Sequence, residues 1–560
     1  MWIYKSNLNA EHFLSTDNKY NQNYLQQLND EYEKYKDAPI SELSFSSFMK
    51  FMRDGDRLTY EKEYFERRTM LRDFALKAWL YGDKTALKRL EDVMWAVCNE
   101  FTWALPAHLG NDVFNETIDL FTAETAQALT EIISLLDDKI SDIVIKRCIT
   151  EVKKRALIPF INRNKPYDWE NMKNNWSAVC GGCIGMTALY LVEDKREADE
   201  IVKSLKQSFE SFISSFSDDG ACLEGLYYWN YGMTYFTAFI DLYKERMETY
   251  FPFDNDKVKK MADFSKKCCI SDGFTLSFSD SLEYGGIYSG ISFKLNEIYN
   301  SAVANEEYLL GFYGDNCGRW CRAARDIAWT KNVNNCPHER KNMSLPISQW
   351  SVLYGNDISA AFKGGNNDEP HNHNDVGSVI VIKNGKAILC DIGAGEYTAE
   401  YFSDKRYDIF CNRSTGHSVP IINGCEQKAG SNYKADGFFA ADNKTGADIS
   451  GAYAVKALKK CLRTIKCNEN TVQIADKFHS DEEICVTERF ITRHSTVVKN
   501  NEVEIIADGE KLASLTADNQ CDIAVKKYEN REHNGVLSYI TAIDFTFKKS
   551  GEFIFSIKIL

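Results

Sequence analysis

The sequence predicts a multidomain α+β chain, a run of helical hairpins followed by an antiparallel β-domain, on three observations. Up to about residue 270 apolar residues recur at helical spacing and strand signals are nearly absent. In the second half the period becomes that of strands, and between the two, near residues 331–345, Lys331-Asn332-Val333-Asn334-Asn335 and Pro337 read as a domain junction. At 560 residues the chain exceeds what one core usually supports, so the expected domains are 1–335 and 336–560.

Taken in order, Met70, Leu71, Phe74, Ala75, Ala78 and Trp79 form one apolar stripe, Gly82-Asp83 interrupts it, and Leu87, Leu90, Met94 and Val97 form the next. That is a helical hairpin. After a connection with Pro106 and Gly110 comes the stripe Phe121, Ala128, Leu129, Ile132, Ile133 and Leu136, interrupted by the polar Thr125. Further helices are expected over 179–191, 198–216, 231–250 and 258–269. Cys180-Gly181-Gly182-Cys183 has redox-motif spacing, but its small residues on a helix favour close packing over thiol chemistry. In the second half, residues 379–389 form two strands around Asn384-Gly385, a strong hairpin signal. The runs 503–506, 523–525, 540–547 and 553–560 are rich in β-branched and aromatic residues and read as strands.

Composition narrows the function. With 67 basic against 81 acidic residues the net charge is −14, and no basic cluster stands out, which argues against a nucleic-acid partner. Seventeen scattered cysteines, odd in number and including the pair Cys268-Cys269, argue against a disulfide scaffold. The N-terminus has none of the parts of a secretory signal, and no apolar run reaches membrane-spanning length. A cytoplasmic location with no membrane partner is the expectation; the oligomeric state stays open.

The segment from His371 to Gln427 carries the chemistry. His371 and His373, two apart on an extended segment, point to one side, and His373, Asp391 and His417 together make an N/N/O donor set that suits zinc. His371 is then left over, two residues from an anchored ligand. In a straight strand Asp391, opposite Ser378, would lie about 17 Å from His373, so Asn374-Asp375-Val376-Gly377 must fold the histidine loop back over the sheet. In the helical half, residues 219–232 hold Glu224 and the aromatics Tyr227, Tyr228, Trp229 and Tyr231, which could pave a sugar-binding cleft or pack as a core helix. Asn174-Asn175-Trp176 opens a helix, and capping accounts for one of its two carboxamides.

These three segments resemble the heparinase II/III-like polysaccharide lyases. The likeness rests on His371-Asn372-His373-Asn374-Asp375-Val376-Gly377-Ser378, on Asp391-Ile392-Gly393, and on Gly416-His417-Ser418-Val419-Pro420 ahead of Asn423-Gly424 and Gln427. Asn174-Asn175-Trp176 and Glu224-Gly225-Leu226-Tyr227-Tyr228-Trp229 match less specifically. The resemblance implies an N-terminal incomplete (α/α) toroid followed by a C-terminal antiparallel β-sandwich. It also implies β-elimination at a uronic acid of an acidic oligosaccharide or polysaccharide, with glycosaminoglycan fragments as first choice and alginate second.

By the match, Asn175 and His371 neutralise the sugar carboxylate, while a tyrosine, Tyr228 or Tyr231 with Tyr228 preferred, moves the proton. Glu224, Trp229, Arg413 and His108 are the expected substrate contacts. His373, Asp391 and His417 are expected to hold one structural zinc, and no organic cofactor is implied. The other histidines, His12, His338, His479, His494 and His533, read as surface or core residues. The competing readings are a zinc-dependent hydrolase with an open metal position, a glycoside hydrolase with paired carboxylates, and a non-catalytic carbohydrate-binding protein.

Overall fold

A computed structural model describes the chain except residues 1, 111–112, 115–116, 254, 283, 302–304 and 334–338. The junction residues Asn334, Asn335 and Pro337, and His338, lie outside the described residues. The chain divides into two compact units: residues 1–215, 228–262 and 287–335 form the first, and 216–227, 263–286 and 336–560 form the second. Each unit is assembled from more than one stretch of chain, and two segments of the helical half, 216–227 and 263–286, belong with the sheets.

The first unit is built of helical hairpins. Leu58–Tyr81 ends at Gly82, whose left-handed φ of 62° closes the helix, and Asp83 caps Lys84–Cys98 by accepting from the Thr85 and Ala86 amides. Leu120–Leu136 and Asn175–Leu191 follow and are almost wholly buried. Glu131 on the first accepts from Arg325, Trp320 and Tyr190. The stretch expected over 198–216 is two helices, Lys195–Lys203 and Lys206–Ser215. Cys180 and Cys183 are fully buried, and a Cβ on Gly182 would meet the Tyr235 carbonyl oxygen at 2.7 Å, so the glycines are there for close packing.

The second unit holds a five-stranded and a ten-stranded antiparallel sheet among the described residues, with a hydrophobic core that includes Phe362, Val379, Ile465, Phe478 and Phe545. The Asn384-Gly385 turn is as expected, both residues having positive φ (50° and 70°) between Val379–Lys383 and Lys386–Leu389. The register shifts between Ala387 and Leu389, which pairs with Val381. This bulge displaces Asp391 from the position opposite Ser378 that a regular hairpin would give it. The runs expected at 540–547 and 553–560 belong to one strand, Leu537–Ile559, paired along most of its length with Thr471–Thr492. No helix among the described residues is long and apolar enough to cross a membrane.

Candidate active site

In the sheet unit the histidine loop is organised by a carboxylate with no sequence signature. Asp280, fully buried, accepts from His371 Nδ1 at 2.7 Å, His373 Nε2 at 3.0 Å and the Tyr397 hydroxyl at 2.9 Å, and also from Tyr401 and, at 3.5 Å, Arg406. Burial pushes its pKa up, but the histidine hydrogen bonds and the Arg406 charge outweigh this and hold it well below the usual carboxylate range. An anion there fixes the proton of His371 on Nδ1. His371 Nε2 is then left to face Glu224, whose Oε2 lies 3.6 Å away. The His371 backbone is left-handed, with φ of 56°, a conformation that costs a non-glycine residue on the order of 1 kcal/mol and persists where its surroundings enforce it. Tyr397 stacks on the imidazole with ring centroids 6.4 Å apart.

The loop folds back as the metal idea requires. Ser378 N–H donates to the Asp375 carbonyl at 2.9 Å, Gly377 takes φ of 89°, and His373, Asp391 and His417 converge with ligand atoms within 4.8 Å of one another. Nδ1 of both histidines and Oδ2 of Asp391 are buried and make no hydrogen bond to the described residues. The opposite ring nitrogens are engaged, His373 Nε2 on Asp280 and His417 Nε2 on the Cys411 carbonyl at 2.8 Å. Outer hydrogen bonds that orient two imidazoles toward a shared point with a carboxylate are what a zinc site needs, so the residues fit the ion. All three are fully buried.

In the helical unit Asn174 is the cap, its side chain accepting from Trp176 N–H at 3.0 Å, which leaves Asn175 as the carboxamide not used for capping. Asn175 packs beside the helix Leu226–Met247: a Cβ on Gly232 would lie 3.5 Å from Asn175 Cβ. Tyr228 precedes Gly232 by one turn on the same face, so Asn175 and Tyr228 share a neighbourhood. Tyr231 differs. It is buried, its hydroxyl donates to Glu124, and the Arg319 guanidinium lies 4.1 Å from its ring centroid. Burial and then Glu124 push its pKa far up, against base duty.

Three expected substrate contacts are placed otherwise or tied down. Trp229 is fully buried and donates its indole N–H to the Met261 carbonyl at 2.7 Å, so it presents no face to a sugar; it is a core residue. Arg413 is committed to Glu426 through Nε at 3.1 Å and Nη2, the ordinary ion pair rather than a grip on substrate. His108 donates or accepts at Nδ1 with Asp119, 2.8 Å away, and its ring lies 4.8 Å from that of Trp176, which brings it to the start of the Asn175 helix. Sequence reading missed Asp280, Tyr397, Tyr401 and Arg406, and placed His533 at the surface or in the core. His533 in fact lies edge-on to Tyr397 at 4.5 Å. The available signal was the aperiodic stretch 395–416, too long and too aromatic for a plain connection.

Solved structures share this architecture. Heparinase III aligns with a TM-score of 0.65 at 13% identity, over 99% of this chain and 93% of its own. The fold is that of heparinase III. The heparan sulfate lyase HepC of Pedobacter heparinus gives a TM-score of 0.61 at 12% identity, over 99% of this chain and 85% of its own. A Streptomyces coelicolor A3 chondroitin AC lyase, solved in complex with chondroitin sulphate, gives 0.57 at 8% identity, over 98% and 82%. No family model and no curated protein sequence matches the chain. The heparinase III fold accounts for the helical unit as an (α/α) toroid and for the sheet unit as a β-sandwich.

Proposed function

We propose that the protein is a lyase that cleaves uronic-acid-containing oligosaccharides by β-elimination, with glycosaminoglycan fragments as first choice and alginate second. The observation that carries the reading is His371, strained, stacked on a tyrosine and anchored on a buried anion, within a fold shared with a heparan sulfate lyase and a chondroitin AC lyase.

The C5 proton of a uronate is too weakly acidic to leave while the adjacent carboxylate carries its full charge. Hydrogen-bond donors on that carboxylate stabilise the charge that develops in the enolate-like transition state. Asn175 and His371 take this role. Because His371 Nδ1 is engaged by Asp280, the opposite ring nitrogen, Nε2, is the one that would meet the sugar carboxylate. Tyr228 removes the C5 proton and returns a proton to the departing oxygen as the C4–O bond breaks, leaving a C4–C5 double bond. A phenol has an ordinary pKa of about 10, so base duty requires its site to lower it. His373, Asp391 and His417 would hold the zinc, which would supply a cross-link between the loops flanking His371 and no chemistry on the substrate.

Two rivals fare worse on burial. A zinc hydrolase needs an open coordination position reached by water, and the three ligands are fully buried. A glycosidase needs two available carboxylates; near His371, Asp280 is fully buried and already saturated by donors. The test is a panel of uronate oligosaccharides followed for the ultraviolet absorbance of an unsaturated uronate. Gain of absorbance on at least one member supports the reading, and none on any member refutes it.

A further inference from the structure

Asp280 stands between two imidazoles with different tasks. Its Oδ2 takes His371 Nδ1 at 2.7 Å and the Tyr397 hydroxyl at 2.9 Å, while its Oδ1 takes His373 Nε2 at 3.0 Å and the Tyr401 hydroxyl. Each oxygen thus holds one imidazole and one phenol. A carboxylate has about four lone-pair positions, so these donors fill it, and rotation of the group would break the contacts to both imidazoles at once. The backbone around it is clamped as well. Ser279 has a left-handed φ of 63°, and its hydroxyl donates to the Leu223 carbonyl at 2.9 Å. Ser281 is pressed from two sides: a Cβ on Gly225 would lie 2.1 Å from its hydroxyl oxygen, and one on Gly393 would lie 2.0 Å from its carbonyl oxygen. Gly393 N–H in turn donates to Oδ1 of Asp391 at 3.0 Å. The segment carrying Asp280 therefore packs on the turn that carries the carboxylate of the metal triad.

An ionised carboxylate accepts and never donates, so each ring nitrogen that faces it carries a proton. On His373 this leaves Nδ1 as the lone pair turned toward Asp391 and His417, the state in which an imidazole can hold a metal. On His371 it fixes the ring through Nδ1. We propose that Asp280 is a shared positioning residue, a single carboxylate that orients His371 for the substrate and prepares His373 for the ion, so that neither imidazole is set without the other. The task of His371 rests on the lyase reading; that of His373 does not.

Asp280→Asn is the isosteric test, because an amide offers an acceptor on one side only. Holding zinc requires that side to face His373, which leaves His371 Nδ1 against an NH2 group and without its anchor. Zinc affinity is read by competition with a chelator, and kcat and KM on the uronate oligosaccharide that wild type cleaves fastest, at saturating zinc. Side-chain nitrogen NMR of histidine-labelled, zinc-loaded protein, with His371 assigned by its loss in His371→Gln, reads the ring directly. The expected result is zinc affinity lower by about 10–100-fold, kcat lower by about tenfold or more with KM within about twofold, and a shifted His371 signal. Where thermal melting shows that the amide prevents folding, Tyr401→Phe removes one donor from Oδ1 and changes neither histidine; zinc affinity and kcat should then fall together, by about threefold or more. A fall in one with the other at its wild-type value, in whichever variant folds, overturns the shared role, as does a wild type that binds no zinc. A wild type that cleaves no member of the panel removes the lyase reading alone, and zinc affinity together with the His371 signal then decides the role of Asp280.

Discussion

Tyr228 and Tyr231 lie three apart on one helix, yet their surroundings separate them. Tyr231 is buried and donates to Glu124, so Tyr231→Phe should lower stability by about 1–3 kcal/mol through the acceptor it strands, a cost read by denaturant unfolding. Tyr228→Phe should cut turnover by about 100-fold or more, read as steady-state rates. Wild-type rates in Tyr228→Phe would remove it from the mechanism. Near the histidine loop, burial pushes the Glu369 carboxyl up to about 7 against the opposing pull of Lys363. In the unfolded chain it titrates near about 4.3, so the native state binds its proton more tightly. The stability it supports is full below that value and is lost as pH rises toward 7, on the order of 3 kcal/mol in all. Glu369→Gln keeps the neutral shape and should flatten this loss, measured by unfolding at pH 5 and pH 8; an unchanged slope would contradict the assignment.

The strands place the segments carrying His373 and His417 through one guanidinium. Arg463, fully buried on Leu458–Asn468, donates through Nη1 to the Gly377 and Ser418 carbonyls at 2.9 and 2.8 Å, and through Nε and Nη2 to Asp476 and Glu488. Gly377 follows His373 and Ser418 follows His417, so a single side chain ties both ligand-bearing segments to the sheet. Arg463→Lys keeps the charge but not the fork and should weaken zinc affinity by about 10–100-fold, read by competition with a chelator. Equal affinity in the two proteins would make Arg463 a core residue only. None of this was legible beforehand, because Arg463 meets residues 476 and 488 of the neighbouring strand Thr471–Thr492 and the distant carbonyls of Gly377 and Ser418, and no local pattern connects them. The Asn384-Gly385 hairpin and the helices from Leu58 to Cys98 were legible, since turn chemistry, capping and period act over a few residues. The bulge after Ala387 and the continuity of Leu537–Ile559 were not, being set by pairing with distant strands.

For the whole molecule, the change of period along the sequence separated helical from sheet architecture, and the resemblance in the histidine block pointed to the fold that the solved structures share. The convergence of His373, Asp391 and His417 could be anticipated because histidines are scarce in this chain, nine in all. Asp280 was not, since an aspartate between two serines carries no mark until folding sets it under the histidine loop. The seam was drawn once, at the junction, whereas residues 216–227 and 263–286 fold with the sheets; chain order alone does not reveal such returns. Under the proposed function, the net charge of −14 would repel an acidic glycan at long range, so recognition would depend on local donors such as Asn175 and His371, within a screening length of about 8 Å at physiological salt. The central claim is elimination without water, and product mass tests it most directly. A uronate oligosaccharide cleaved in oxygen-18 water should give two fragments whose masses sum to that of the substrate, with no label taken up; fragments heavier by one labelled water would contradict the account.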